Sequence, residues 1–130
     1  MRDIILADDD GLMRALCAEW LGAAGYRVQQ AENGAHALAL LRDTPAAVLI
    51  TDMDMPGRDG AQTLREARSM RPGLVVIAIS GGNRGYGHDW AAAALEQGAA
   101  RTLAKPFTRE VLLAAVRQAL PPEPPGADPS

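Results

Sequence analysis

The chain has 130 residues, 48% of them hydrophobic and 22% charged, with a formal charge of -3. That length suits one domain with a real core, and it is too short for two. The acidic balance provides no field for nucleic-acid phosphates or anionic lipid, so neither is an expected direct partner.

Met1-Arg2-Asp3 leads straight into Ile4-Ile5-Leu6-Ala7, a short apolar run read as a buried strand that stops at Asp8-Asp9-Asp10. With no signal peptide or membrane-length span in view, the expected location is the cytoplasm. Leu12, Leu16 and Trp20, with Met13, Cys17 and Leu21, recur at helical spacing until Gly25. Trp20 is assigned to the core. Cys17 is the only cysteine, which rules out an intrachain disulfide, and its apolar neighbours assign it to inert packing. Tyr26 to Ala31 reads as the second strand, and Asn33 as the N-cap of a helix carrying Leu38 and Leu41.

Ala46 to Ile50 is the third apolar run, ending at Thr51-Asp52. After Pro56-Gly57 a helix is expected from Asp59 or Gly60 to Met70. Leu74 to Ile79 is the strongest strand. A glycine-rich loop, Gly81 to Gly87, precedes a helix expected over Asp89 to Gln97 and closed by Gly98. Arg101 to Ala104 is the last strand, before Lys105-Pro106, and Thr108 caps a final helix with Leu112, Val116 and Leu120. The domain is assigned to residues 1–120. Residues 121–130, with four prolines in the first five positions, read as a disordered tail.

A βα unit repeated five times, with unbroken aliphatic strands, predicts an α/β fold: a doubly wound parallel sheet covered by helices on both faces. Ligands in such sheets sit beyond the carboxyl ends of the strands. Here those ends carry Asp8-Asp9, Asp52, Ser80 and Lys105. Clustered carboxylates resist ionisation unless a cation joins them, and an all-oxygen set suits Mg²⁺. Asp9 and Asp52 are the direct ligands in this reading, Asp8 acts through water, and the backbone carbonyl of Asp54 is a further ligand. Asp52 is also a nucleophile able to form an acyl phosphate. Lys105 supplies charge, and the Ser80 hydroxyl with nearby backbone N–H groups binds phosphoryl oxygens.

At these residues the chain resembles the CheY-like receiver family of response regulators, from about Asp3 to Leu120. Asp8-Asp9 matches its acidic pair, and Asp52-Met53-Asp54-Met55-Pro56-Gly57 with Asp59-Gly60 its phosphoacceptor segment. Ser80 stands at the Ser/Thr switch position, and Gly98-Ala99 with Lys105-Pro106-Phe107 matches the closing segment. The resemblance implies a flavodoxin-like five-stranded sheet and a histidine kinase or phosphotransfer protein as phosphoryl donor. It also implies a cis peptide at Lys105-Pro106. The signal would leave through the face of the fourth helix, fifth strand and fifth helix, as a population shift that engages a downstream protein. The implied function is a stand-alone phosphoacceptor switch, not an enzyme in the ordinary sense.

Two departures stand out. Thr102 occupies a position where the family commonly has an aromatic ring, so Tyr86 or the whole glycine-rich loop is assigned the readout. Asp54 stands two residues after the acceptor, where the resemblance implies a side chain that borders the phosphoryl group and tunes its hydrolysis; an acid there either orients attacking water or repels the phosphate, and a shortened acyl-phosphate lifetime is the favoured reading. Simpler readings compete: Asp8-Asp9-Asp10 as an acidic capping turn, which is retained for Asp10, and Ser80 as a turn residue. His36 and His88 lack partners at metal spacing, and Trp90 is left open between core, loop anchor and partner contact. The alternative functions are a small haloacid-dehalogenase-type phosphatase using Asp52 and Asp54, against which Pro56 and the short chain argue, and an unphosphorylated interaction module.

Overall fold

The computed structural model describes residues 2–54, 60–81 and 90–120. Its strands are β1 (Asp3–Ala7), β2 (Arg27–Ala31), β3 (Val48–Asp52), β4 (Val75–Ser80) and β5 (Arg101–Ala104). They alternate with α1 (Gly11–Ala23), α2 (Gly34–Asp43), α3 (Gly60–Met70), α4 (Trp90–Glu96) and α5 (Arg109–Ala119). All strand pairs are parallel, in the order β2-β1-β3-β4-β5. The order reverses at β1 and β3, so a crevice opens beyond their carboxyl ends.

Successive strand side chains point to opposite faces, and this alternation divides the interior into two cores. Ile5, Ala7, Leu49, Val76 and Ala78 pack with Leu38 and Leu41 of α2, Leu64 and Ala67 of α3, and Ala94 of α4. Ile4, Leu6, Val48, Ile50, Ile77 and Ile79 pack with Cys17 and Leu21 of α1 and with Leu112 and Val116 of α5. Every residue of β1 and β3 is buried, whereas the edge strand β5 exposes Arg101 and Ala104. Central strands must therefore be apolar on both faces, and edge strands need not be.

The expected caps form. Asp10 accepts hydrogen bonds from the backbone N–H groups of Leu12 and Met13, Asn33 from His36, and Thr108 from Val111. Gly25 and Gly98 adopt φ of 101° and 107°, the left-handed region that closes the α1 and α4 turns.

Several boundaries move by one or two residues. Tyr26 stays outside β2 because its N–H bonds Leu21 O at the end of α1. β3 and β4 begin at Val48 and Val75, later than the expected Ala46 and Leu74, and they end at Asp52 and Ser80 as expected. Gln97 belongs to the turn after α4 rather than to the helix. Residues 55–59, 82–89 and 121–130 lie outside the described residues, and with them Tyr86, His88, most of the glycine-rich loop and the assigned tail. The side chain of Trp90 likewise lies outside what is described.

The apolar stripe of α1 needs correction. Cys17 and Leu21 are the buried residues, with Met13 and Trp20 packed against them. Leu12 and Leu16 are 86% and 43% exposed. Neighbouring i, i+4 rows lie about 100° apart around a helix, so only one of them can face a flat sheet squarely. Trp20 is thus half-buried at the core margin rather than enclosed.

Candidate functional site

The two acids that close β1 and β3 are held in matching ways. Asp8 Oδ1 accepts the N–H of Asp10 at 2.9 Å, and Asp52 Oδ1 accepts the N–H of Asp54 at 2.9 Å. The second oxygen of each accepts from Lys105 Nζ, at 3.1 Å from Asp8 and 2.8 Å from Asp52. The Lys105 N–H donates to Ser80 O at 2.9 Å, which continues the β4–β5 ladder and brings the lysine to the rim. Its peptide bond to Pro106 is cis. Carboxylate oxygens of Asp8, Asp9 and Asp52 all lie within 4.8 Å of one another. Asp8 and Asp52 are buried, and Asp9 is exposed.

Burial works against the charged forms. It pushes Asp8 up to about 6, with the nearby Asp52 charge adding to the rise; the Asp10 N–H and Lys105 oppose it. Burial also pulls the Lys105 ammonium down, but its hydrogen bonds to Asp52 and Asp8 and their charges outweigh that, leaving it above its ordinary value. The lysine is thus a fixed cation between two buried acids. The buried Cys17 thiol is pushed up to about 11 by burial and by the Asp8 charge, in keeping with inert packing.

Asp54 is placed unexpectedly. Its Oδ2 accepts hydrogen bonds from the Ser80 hydroxyl and from the Gly81 N–H, the latter at 3.2 Å. The expected site residues Asp8, Asp9, Asp52, Asp54, Ser80 and Lys105 therefore come together. Thr102 is half-buried in β5, and Tyr86 lies outside the described residues. His36 is exposed on α2, where its Nδ1 accepts the Glu32 N–H at 3.4 Å.

Sequence reasoning missed two supporting residues. Arg14 Nη1 donates to the Asp8 carbonyl at 2.7 Å, and its Nε to Gln30 at 3.2 Å. This pins the β1–α1 loop. An arginine in the first turns of a helix, against the macrodipole, was the available signal. Gly60, quoted only as part of a motif, sits directly against the Met53 backbone.

Comparison with known proteins agrees with this geometry. The family model for the response regulator receiver domain matches residues 4–117. The response regulator receiver protein CpdR of Brucella abortus is 37% identical over 112 residues, covering 82% of this chain and 87% of that one. The transcriptional regulatory protein GlrR of Escherichia coli is 34% identical over 125 residues, 96% of this chain but only 28% of its own length. Among solved structures, the Vibrio cholerae chemotaxis protein CheY4 superposes with a TM-score of 0.84 at 25% identity, covering 92% of this chain and 99% of that one. Receiver domains are signalling switches rather than ordinary enzymes, and they bind Mg²⁺ in an acidic pocket like this one. The Asp52-Met53-Asp54 sequence is therefore not the signature of a haloacid-dehalogenase phosphatase. Among the described residues no helix is long and apolar enough to cross a membrane. With its family match, its fold and its acid–lysine pocket in agreement, the chain belongs to the response-regulator receiver family and is a phosphoacceptor of two-component signalling.

Proposed function

We propose that Asp52 is the phosphoacceptor, that Asp8, Asp9 and Asp52 with the Asp54 carbonyl hold Mg²⁺, and that a histidine kinase or phosphotransfer protein is the donor. The observation that carries this reading is Lys105 Nζ, set 3.1 Å from Asp8 and 2.8 Å from Asp52 beside the exposed Asp9. The donor set fits a hard divalent ion, since its ligands are carboxylate oxygens that need positive charge. Bound there, Mg²⁺ supplies charge neutralisation for the acids and the incoming phosphoryl oxygens.

One Asp52 oxygen attacks phosphorus, a P–O bond forms, and the bond to the leaving group breaks. The Asp54 N–H orients the acceptor through Asp52 Oδ1. Lys105, already bonded to Asp52 Oδ2, offsets the charge that gathers on the transferred group. Output is proposed to pass to a downstream protein through the α4–β5–α5 face, in the cytoplasm and without direct nucleic-acid or membrane contact.

Intact-protein mass spectrometry after treatment with acetyl phosphate and Mg²⁺ tests the acceptor. A labile one-phosphoryl adduct is expected on the wild type and none on Asp52→Asn. No adduct on the wild type, together with no beryllofluoride binding, would favour an unphosphorylated interaction module.

A second expectation concerns pH. The folded Asp8 value of about 6 lies above its ordinary 3.8. Protonated Asp8 therefore stabilises the metal-free fold fully below 3.8, and that contribution is lost as pH rises through about 6. Mg²⁺ takes the ionised form, so the rise in Tm that it produces should widen between about pH 4 and about pH 7. A Tm gain that is flat across this range would remove Asp8 from the metal site.

A further inference from the structure

The side chain of Asp54 holds the donors that phosphoryl oxygens need. Its Oδ2 accepts both the Ser80 hydroxyl and the Gly81 N–H, while its own N–H is bonded to Asp52 Oδ1. Ser80 is fully buried at the end of β4, and Asp52 pairs in register with Ile79, the residue just before it. A group on Asp52 therefore arrives beside a hydroxyl and an amide already occupied by a carboxylate.

We infer that Asp54 is a built-in competitor for the phosphoryl group: its carboxylate stands in the anion-binding position and must leave Ser80 and Gly81 before the acyl phosphate can take them. This rests on Asp52 being the phosphoacceptor. A serine hydroxyl has one proton to donate, so it cannot serve two anions at once. The phosphoryl group brings about -1.5 to -2 charges, and the Asp54 carboxylate would lie next to it. Repulsion and loss of the shared donors therefore act in the same direction, and both drive Asp54 out.

The consequence is twofold. Asp54 holds Ser80 and the start of the loop after β4 in place before phosphorylation, and it weakens the phosphorylated state by the strength of the bonds it must give up. The movement of Ser80 on activation is then an exchange of one anion for another on the same donors. Asp54 then acts in the uptake step, by holding the donors, in addition to the water orientation or repulsion that its position in the sequence suggested.

The test is beryllofluoride binding in Mg²⁺, measured for wild type, Asp54→Ala, Ser80→Ala and the double variant. Removing a hydrogen-bonded charge should tighten binding by about tenfold in Asp54→Ala. That gain should shrink to about twofold or less when Ser80 is already alanine, because the contested donor is gone. Unchanged or weaker binding in Asp54→Ala overturns the inference. An equal gain in both backgrounds also overturns it, since the effect would then be general repulsion rather than competition for Ser80.

A second readout needs no phosphoryl group. In unphosphorylated protein the Gly81 amide should show an upfield proton shift and faster solvent exchange in Asp54→Ala than in wild type. An unmoved Gly81 amide would overturn the inference. Should no form bind beryllofluoride, the phosphoacceptor reading fails, and the Gly81 amide still decides whether Asp54 holds the donors.

Discussion

Replacing Gly60 by alanine is expected to lower the stability of the domain by about 2 kcal/mol or more, within the upper range of overpacking penalties. A Cβ there would lie 2.5 Å from Met53 Cα, 2.7 Å from Met53 O and 2.9 Å from Met53 C. These are main-chain atoms of the residue after Asp52, and they cannot swing aside as a side-chain tip would. Alanine does favour helix over glycine by up to about 1 kcal/mol, but Gly60 is the first residue of α3, where that benefit is smallest. The clash therefore decides the sign. Urea unfolding followed by circular dichroism should show a lower midpoint with an unchanged slope. A variant as stable as wild type would mean that α3 can draw back from β3 at little cost. Because Met53 N–H bonds Ile79 O at 2.8 Å, any shift at Met53 is also carried to the end of β4. Gly60→Ala should thus weaken phosphoryl uptake even where the protein remains folded.

Lys105→Ala is expected to damage both stability and chemistry. The ammonium bridges two carboxylates whose side chains are only 1% and 4% exposed, and removing it leaves them facing each other without a counter-charge. Because the folded pKa of Lys105 is raised, its contribution is fully present below its ordinary value of 10.5 and is therefore intact at neutral pH. The loss in the metal-free variant should be largest near neutrality. It should shrink as pH falls through about 6, where Asp8 takes up a proton. Mg²⁺ should restore much of the stability, since a divalent ion replaces the missing charge, but not the phosphoryl transfer. Loss of one fixed donor to the developing charge costs about a hundredfold or more in rate. Thermal melts at two pH values, with and without Mg²⁺, and adduct formation with acetyl phosphate separate the two effects. A Lys105→Ala protein with wild-type uptake would remove the lysine from the chemistry and leave it a structural role only.

The central strands were legible from the chain because they are buried on both faces, and short unbroken aliphatic runs that stop at Asp8, Thr51-Asp52 and Ser80 have few other readings. β5 has the expected bounds and β2 begins one residue later than expected, although both carry a weaker signal. As edge strands they tolerate Arg27, Gln29, Gln30 and Arg101, and their sequences carry less of the pattern. The caps at Asp10, Asn33 and Thr108 were also legible, since each side chain bonds an amide two or three residues on.

By itself the sequence determined the βα repeat, the acids and lysine at the strand ends, and the local caps. All of these depend on neighbours along the chain or on a periodicity of two or 3.6 residues. Only the tertiary structure decided that Leu12 and Leu16 face solvent while Cys17 and Leu21 are buried, that Gly60 lies against Met53, and that Arg14 grips the Asp8 carbonyl. It alone placed the Asp54 carboxylate on Ser80, 26 residues away, rather than toward open solvent. Periodicity states which residues of an element share a face. Which face turns inward, and which side chains meet there, depends on the order in which the strands lie side by side, and that order is set by packing across the whole sheet.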